Sequence, residues 1–284
     1  MVMEIGLMRL LTKKITDGGR MDDYQPRKSL GQHWLNDGAT LNKIVDYAKL
    51  NSKDYVVEIG PGLGSLTSLI SAKAGKVLAV EVDEQLFNNL KNFNQADNLE
   101  FVNQDILKFD LTKLPKDYKI VANIPYYLTS HLIRLLTDSI NPPIKIVLLI
   151  QKEVAERIDA KPGSMSVLSV VVQQYFDVEK KNIVLAEMFT PPPKVDSQII
   201  VLSRRAKPVI KTDNDKDFFR LVRVGFSARR KTLENSLSNG LRINKQQVRE
   251  IIIDAKLDPS VRPQVLTILQ WGQLFKVFKT RNIV

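Results

Sequence analysis

The sequence of 284 residues contains no cysteine and only two histidines, His33 and His131. The absence of cysteine excludes disulfides, zinc sites with thiolate ligands, iron–sulfur clusters and cysteine nucleophiles. It also excludes the zinc-dependent deaminases of nucleobases, which use cysteine ligands. With so few imidazoles a histidine-rich metal site is not expected either. We therefore predict chemistry without a bound metal.

Long apolar runs are also missing from the sequence. No stretch approaches the roughly 18–20 apolar residues that are needed to cross a bilayer. Residues 1–20 mix charged residues such as Glu4 and Lys13 with apolar ones, and no small-residue cleavage site follows them. The sequence therefore does not predict a secretory signal here. The sequence predicts a cytoplasmic protein with no membrane partner.

Most of the chain has no net positive charge, and the excess of positive charge is concentrated in its C-terminal part. The net charge is +11 at pH 7. Residues 1–203 contain 24 Lys and Arg against 24 Asp and Glu, whereas residues 204–284 contain 18 against 7. A neutral part joined to a basic part indicates that the basic part holds a polyanion such as a nucleic acid. The alternative is an ordinary solvated helical surface.

Short apolar runs alternate with amphipathic stretches from Tyr55 onward, which is typical of βαβ units. We predict a Rossmann-like α/β fold with a seven-stranded sheet. A helical stretch is predicted from about Ile150 to Gln174, and the last two strands form an antiparallel pair connected through Pro191–Pro193. The predicted strands are Tyr55–Ile59, Lys76–Glu81, Leu99–Asn103, Lys119–Ala122, Ile144–Ile150, Tyr175–Leu185 and Ser197–Ser203.

Strand patterns end near Pro208, and only helical patterns follow. The predicted helices are Phe218–Phe226, Arg230–Leu237, Lys245–Ala255 and Val265–Phe278. This predicts a small all-helical C-terminal domain that begins where the charge imbalance begins. We predict a flexible N-terminal arm (1–25), an α/β domain (26–206) and a helical, basic domain (207–284).

A glycine-rich loop, Glu58-Ile-Gly-Pro-Gly-Leu-Gly64, follows the first core strand. Glycines leave no side chain between the backbone and a ligand at the strand ends. The spacing G-x-G-x-G differs from the G-x-G-x-x-G of dinucleotide sites, and it favours a nucleoside with an amino-acid tail over a pyrophosphate. Gly60 and Gly62 are the candidate ligand contacts. A plain tight turn is the alternative.

Two carboxylates follow the next two strands. Glu81 comes about 20 residues after the loop, where a carboxylate can accept hydrogen bonds from both hydroxyls of an adenosine ribose. Asp105 can accept a hydrogen bond from the adenine amine of the ligand, while Ile106 packs on the ring. The alternatives are a solvated strand end for Glu81 and a helix cap for Asp105.

The most specific motif, Asn123-Ile-Pro-Tyr126, ends the fourth predicted strand. An exocyclic adenine amine is a poor nucleophile because its lone pair is delocalised into the ring. The Asn123 side-chain oxygen and the Ile124 carbonyl can accept its two hydrogens and localise the lone pair, while Pro125 fixes the backbone. Tyr126 offers a face on which a flipped-out base can stack.

These motifs, together with Lys28–Leu35, Phe189–Ser197 and Phe226–Leu233, resemble those of the ribosomal RNA small-subunit adenine N6,N6-dimethyltransferases, the kasugamycin-resistance methyltransferases. The resemblance extends from about Arg27 to the C-terminus. It implies a methyltransferase that uses S-adenosylmethionine (SAM) to dimethylate two adjacent adenosines in the 3′-terminal stem-loop of 16S rRNA during subunit biogenesis. The implied partner is small-subunit rRNA or an immature small subunit, and we expect a monomer.

The resemblance also implies roles for individual residues. Phe189 would form a second aromatic wall opposite Tyr126, so that the target adenine lies between two rings. Arg229, Arg230 and Lys231 would contact the RNA backbone. The cofactor site would be lined by residues from several motifs: Gln32, His33, Leu35, Gly60, Gly62, Glu81, Asp105, Ile106 and Asn123.

Four rival functions share some of these features. A relative that acts on large-subunit rRNA, of the kind that confers macrolide resistance, has the same site, but the run Phe189–Asp196 favours the small-subunit group. A DNA adenine methylase would carry two prolines before the aromatic residue and an added target-recognition region. A binding module without catalysis is disfavoured by the intact acceptor and ribose-binding residues. The glycine spacing and the basic C-terminal part disfavour a nicotinamide-dependent oxidoreductase.

Overall fold

The computed structural model of the chain describes residues 24–27, 30–93, 96–228 and 230–283. The strands, numbered in chain order, are β1 (Trp34–Leu35), β2 (Tyr55–Ile59), β3 (Lys76–Glu81), β4 (Leu99–Asn103), β5 (Lys119–Asn123), β6 (Lys145–Gln151), β7 (Phe176–Val184), β8 (Phe189–Thr190) and β9 (Ser197–Arg204). The helices are α1 (Gly38–Ala48), α2 (Ser65–Ser71), α3 (Glu84–Phe93), α4 (Thr129–Asp138), α5 (Lys152–Ile158), α6 (Val167–Tyr175), α7 (Asp215–Gly225), α8 (Leu233–Leu241), α9 (Lys245–Asp254) and α10 (Ile268–Thr280).

The main sheet has seven strands in the order β4-β3-β2-β5-β6-β9-β7. The first five in this order run parallel, β9 is antiparallel to β6, and β7 is antiparallel to β9. This confirms the predicted Rossmann-like sheet with an antiparallel pair at one end. The chain moves outward in opposite directions from the neighbouring strands β2 and β5. Their carboxyl ends therefore open a crevice of the kind in which α/β sheets bind ligands.

The central strands are largely apolar because their two faces pack against different layers of helices. On β2, Val57 belongs to one buried cluster and its neighbour Val56 to another, and Ile120 and Val121 of β5 divide in the same way. Helices α4 and α5 cover the first cluster, and α1 and α2 cover the second. Each fully buried Val or Ile side chain contributes about 1.5–3 kcal/mol to folding.

A second, two-stranded sheet lies outside the main one and was not predicted. It pairs β1 with β8 in antiparallel fashion, so that Trp34 is opposite Thr190 and Leu35 opposite Phe189. The pairing is extended by the backbone N–H of Asn36, which donates to the Met188 carbonyl at 2.9 Å. Two segments far apart in the sequence are thereby brought to the carboxyl ends of the parallel strands.

The single helical stretch predicted after Ile150 is wrong, because two helices, α5 and α6, are separated by residues 159–166. Pro162 has no N–H to donate to a preceding turn, and Gly163 adopts a φ of 106°, which few other residues tolerate. The backbone N–H groups of Gly163 and Met165 instead donate to the Gln264 carbonyl at 2.8 and 3.1 Å. The interruption therefore joins this part of the chain to the C-terminal region.

The four C-terminal helices are present as predicted, although only the start of α9 coincides and the other ends differ by one to four residues. Helix α8 begins three residues later than predicted because Thr232 caps it, and α10 begins after Thr267, whose side chain forms a capping box with Gln270. Their apolar faces form a third core cluster around the fully buried Trp271.

This third cluster also includes residues from the preceding part of the chain. Ala160, Met165 and Val170 pack with the C-terminal helices. The boundary predicted at residue 206 falls between β9 and α7, and the division of the chain into separate domains stays a prediction.

The predicted arm over residues 1–25 lies outside the described residues as far as residue 23. Tyr24, which the prediction included in the arm, is 7% exposed, and its hydroxyl donates to Oδ2 of Asp83 at 2.6 Å. The folded part of the chain therefore includes Tyr24. None of the described helices is both long and apolar enough to cross a bilayer.

Candidate active site

A cavity of about 320 Å³ opens at the carboxyl ends of β2, β3 and β5. This volume falls in the range of about 300–1,000 Å³ that is usual for small-molecule sites. Motifs that follow successive parallel strands reach the same edge of a sheet, which explains why they meet here. Every residue predicted for the cofactor site or the catalytic motif lines it: Gln32, His33, Leu35, Gly60, Gly62, Glu81, Asp105, Ile106, Asn123, Ile124, Pro125, Tyr126 and Phe189.

The glycine loop connects β2 to α2 and gives the cavity a floor of bare backbone. A Cβ atom built on Gly60 would meet nothing within 4 Å, so open space lies directly beside this residue. A Cβ on Gly62 would lie 3.3 Å from the Trp34 ring. Both residues have a φ near 60°, where other residues are strained. The loop therefore lets a ligand approach the main chain closely.

Glu81 ends β3 and is 4% exposed. Its Oε1 accepts a hydrogen bond from the Asp83 backbone N–H at 2.9 Å, and its Oε2 accepts one from the Gly62 N–H at 3.3 Å. Burial raises the pKa of this carboxyl, although the two N–H groups oppose the shift. The alternative of a solvated strand end is therefore wrong. The side chain is a buried, fixed acceptor in the cavity wall.

Asp105 follows β4 and caps a short 3₁₀ turn, Ile106–Lys108. Its Oδ1 accepts a hydrogen bond from the Leu107 backbone N–H at 2.9 Å, so the helix-cap reading is correct. Within the described part of the chain, no partner occupies Oδ2. Because the residue also lines the cavity, one oxygen holds the turn and the other stays available to a ligand.

Asn123 is the last residue of β5, and its amide is oriented by the backbone at His33. Nδ2 donates to the His33 carbonyl at 3.3 Å. No donor among the described residues contacts Oδ1, which is thus left as an acceptor. Ile124 is 2% exposed, so its apolar side chain holds the following backbone in place. Two candidate acceptors, the Asn123 side-chain oxygen and the Ile124 carbonyl, therefore belong to adjacent residues of the cavity lining at this strand end.

Aromatic rings lie next to these acceptors. The Tyr126 hydroxyl is hydrogen-bonded to Oγ of Ser197 at 2.7 Å, which fixes the direction of the ring. The His33 ring is nearly parallel to it, with centroids 5.9 Å apart and an interplanar angle of 22°. Nδ1 of His33 donates to the Pro191 carbonyl at 2.7 Å. Phe189 lines the cavity as well, although it is 3% exposed and belongs to the same core cluster as Leu35.

Glu58 also lines the cavity, although no role was predicted for it from the sequence. It is 1% exposed, and no partner within the described residues hydrogen-bonds to its Oε2. Burial raises the pKa of its carboxyl from the ordinary value of 4.5 to about 8. A glutamate inside an otherwise apolar strand was the sequence signal that could have identified it. The structure thus adds a second buried carboxyl to the site.

The replacement Glu58→Gln should make the ligand-free protein more stable above neutral pH. Between 4.5 and about 8 the unfolded chain releases the Glu58 proton while the folded chain retains it. The stability of the wild type therefore falls as pH rises through this window, and glutamine removes that dependence. Melting temperatures recorded from about pH 5 to about pH 9 should diverge in favour of the variant. Parallel curves of melting temperature against pH for the wild type and Glu58→Gln would contradict the raised pKa of Glu58. The replacement Glu100→Gln, at an exposed glutamate, serves as control.

The basic residues implied for RNA contact lie apart from the cavity lining. Arg230 and Lys231 are exposed and precede Thr232, the cap of α8. Neither forms an ion pair with another described residue. Arg229 lies outside the described residues. The N-terminal end of a helix favours anions, so the location suits contact with a phosphate, but the role of these residues stays a prediction.

Comparisons with known proteins agree with the site. Residues 24–280 match the family model described as ribosomal RNA adenine dimethylase. A ribosomal RNA small subunit methyltransferase A from Clostridioides difficile (strain 630) is 40% identical over 268 residues, which cover 91% of this chain and 93% of that protein.

Two solved structures are also similar over most of the chain. A dimethyladenosine transferase from Plasmodium falciparum is 29% identical with a TM-score of 0.77, covering 87% of this chain and 98% of that one. The 23S rRNA methyltransferase ErmE is 26% identical with a TM-score of 0.69, covering 87% of this chain and 99% of that one. The family resemblance predicted from the motifs is confirmed. The chain belongs to the ribosomal RNA adenine dimethylase family.

Proposed function

We propose that this protein transfers methyl groups from SAM to N6 of adenines in 16S rRNA and forms N6,N6-dimethyladenosine. The observation that carries this proposal is the Asn123 amide, whose Nδ2 is held by the His33 carbonyl so that Oδ1 remains as an acceptor beside the Ile124 carbonyl. Identity of 40% to a protein named for the small subunit, against 26% to one named for 23S rRNA, favours small-subunit RNA.

Within 16S rRNA, the substrate in this proposal is a pair of adjacent adenosines in the 3′-terminal stem-loop of an immature small subunit. The motif resemblance supports this choice, because looped RNA offers unstacked bases that can enter a pocket. A subunit still being assembled exposes such a loop to an enzyme that works as a monomer in the cytoplasm.

The cavity residues fit SAM by their chemistry. The bare backbone at Gly60 leaves room for the ligand, and the fixed carboxylate of Glu81 suits the two ribose hydroxyls. Asp105 Oδ2 and the Ile106 side chain suit the adenine. The unpaired Oε2 of Glu58 suits the ammonium group of the amino-acid tail. When bound, SAM supplies an electrophilic methyl group on a positively charged sulfur.

The two acceptor oxygens account for activation of the adenine amine. Asn123 Oδ1 and the Ile124 carbonyl accept the two N–H hydrogens, which draws the nitrogen toward a tetrahedral shape and localises its lone pair. A strong general base is not needed, because the nitrogen becomes acidic only once it is methylated and then sheds its proton to water. Catalysis consists of positioning and local electrostatics.

The aromatic residues hold the base while it reacts. Tyr126, oriented by Ser197, stacks on one face of the extruded adenine, and Phe189 closes the other side. Stacking of this kind is worth about 1–3 kcal/mol per base. After the first transfer the amine keeps one hydrogen, so one of the two oxygens is enough to orient it for the second.

The C-terminal helices hold the RNA in this proposal. Changing Arg230 and Lys231 together to alanine should lower the slope of log K for RNA binding against log salt by about 1 to 2, because each phosphate contact releases about one counterion. Affinity for SAM should not change. Filter binding over a range of salt concentrations measures the slope.

A matched pair of lysines provides the control for this experiment. Lys113 and Lys116 are exposed in the α/β part and form no ion pair with a described residue. Their double alanine variant should keep the wild-type slope. Equal slopes for wild type and the Arg230 and Lys231 variant would show that the RNA is held elsewhere.

One assay tests the function as a whole. The protein is incubated with methyl-labelled SAM and ribosomal subunits from an unmethylated strain, and modified nucleotides are located by mass spectrometry. Dimethylation of two adjacent adenosines near the 3′ end of 16S rRNA supports the proposal. Label confined to 23S rRNA would reassign the enzyme to the large subunit. Binding of SAM without any transfer would indicate an assembly factor.

A further inference from the structure

Asp83 is a buried carboxylate, 1% exposed, that does not line the cavity. Its Oδ1 accepts hydrogen bonds from the backbone N–H groups of Gln85 and Leu86, at 3.0 and 3.3 Å, and so begins α3. Its Oδ2 accepts a hydrogen bond from the Tyr24 hydroxyl at 2.6 Å and lies 3.3 Å from the Arg27 guanidinium. Capping a helix uses only the first oxygen. The second oxygen binds Tyr24 and Arg27, which precede β1 in the sequence.

Gln32 strengthens the same attachment. Its Nε2 donates to Oδ2 of Asp83 at 3.3 Å, and its Oε1 accepts from the Arg27 backbone N–H at 2.8 Å. The side chain predicted to contact the cofactor is thus engaged within the protein. Burial, followed by donation to Asp83, raises the pKa of Tyr24 to about 12, so the hydroxyl stays protonated and remains a donor at neutral pH.

The residue after Gln32 connects this attachment to the acceptor of the target amine. The His33 carbonyl accepts the hydrogen bond from Asn123 Nδ2 at 3.3 Å. The Trp34 ring packs against Tyr24, with centroids 5.6 Å apart. Tyr24 and residues 32–34 therefore connect Asp83, two residues beyond Glu81, to the end of β5.

We propose that Asp83 is a positioning residue for methyl transfer. By holding Tyr24 and Gln32, Asp83 fixes the position of residues 32–34. The His33 carbonyl then keeps the Asn123 amide oriented with its oxygen available to the target amine. The inference rests on the proposed function. It differs from a purely structural role because the path of contacts ends on Asn123, the acceptor of the target amine.

The replacement Tyr24→Phe removes one hydroxyl and nothing else. We expect kcat to fall about tenfold while Kd for SAM stays within about threefold, since small displacements of a positioned group cost up to about a hundredfold in rate. Asp83→Asn keeps the helix cap, because asparagine caps as well as aspartate, and should lower kcat similarly. The double variant should be no worse than Asp83→Asn alone, because the contact with Tyr24 is one of the contacts that Asp83→Asn already breaks.

A measurement without cofactor or RNA reports on the segment directly. The sequence has two tryptophans, and Trp271 is fully buried in the C-terminal core. A change in emission between variants therefore reports on Trp34. Tyr24→Phe should lower the fluorescence anisotropy of Trp34 and shift its emission to the red, because the aromatic ring beside Trp34 is no longer anchored to Asp83.

Tyr175→Phe is the matched control, because the Tyr175 hydroxyl also donates to a carboxylate, Asp215, at 2.6 Å. It should leave kcat and the Trp34 signal unchanged. The inference is overturned if Tyr24→Phe matches this control, or if kcat, SAM affinity and melting temperature all fall in parallel. An inactive wild-type protein would instead contradict the proposed function, so the two failures are distinguishable.

Discussion

Replacing Asn123 by alanine should slow methyl transfer by about 10²–10³-fold while SAM affinity stays within about tenfold of the wild type. The variant loses Oδ1, one of the two acceptors for the adenine amine, and with it the hydrogen bond that Nδ2 donates to the His33 carbonyl. Loss of a single preorganised hydrogen-bonding group at a reacting centre costs about 10²–10³ in rate. Single-turnover transfer to unmethylated small subunits, with calorimetry for SAM, measures both quantities.

Asn98→Ala is the matched control for this variant. The Asn98 amide also donates to backbone carbonyls, those of Ser71 and Ala74 at 2.9 Å, but at the amino end of β4, away from the cavity. It should cost stability and leave the rate constant for transfer alone. If the Asn123→Ala variant transferred methyl groups as fast as the Asn98→Ala control, the Asn123 side-chain oxygen would have no role in the mechanism.

Replacing Glu81 by alanine should weaken SAM binding by about a hundredfold. Two ribose hydroxyls lose a charged acceptor, and hydrogen bonds to charged groups contribute about 1.5–3 kcal/mol each. The backbone N–H groups of Gly62 and Asp83 lose their acceptor as well. Glu81→Gln keeps an acceptor for these groups and should bind SAM about tenfold more weakly than the wild type. Calorimetry measures both affinities.

Glu100→Ala provides the comparison for Glu81. Glu100 lies on β4 beside β3 with its side chain half exposed, and among the described residues it forms an ion pair only with Lys76, at 3.1 Å. Its loss should not alter SAM affinity. If Glu81→Gln and Glu100→Ala bound SAM equally well, the ribose assignment would be wrong.

The main sheet could be predicted because each parallel strand is a short run of mostly apolar residues. Val56 and Val57 both have to be apolar, since adjacent residues face opposite buried layers. The cavity lining followed from this prediction, because motifs placed after successive strands must meet at one edge. The sequence could therefore indicate which residues come together before any distance was known.

The N-terminal contacts and the small second sheet could not be predicted in this way. The pairing of β1 with β8 involves two residues from each strand, too few for a periodic pattern to be recognised. The burial of Tyr24 depends on Asp83, a partner 59 residues away, and nothing local marks either residue for the other. Pro162 and Gly163 did mark the interruption between α5 and α6, and the prediction of one helical stretch overlooked them.

The core shared by α6, residues 159–166 and the C-terminal helices has a consequence for target choice. Ala160, Met165 and Val170 are buried among the same side chains as Trp271, so the basic helices cannot swivel freely relative to the sheet. RNA bound by those helices would then enter the active site at a fixed distance from the point where it is held. Selection of one nucleotide among many alike would then follow from distance along the folded RNA and not from recognition of the base alone.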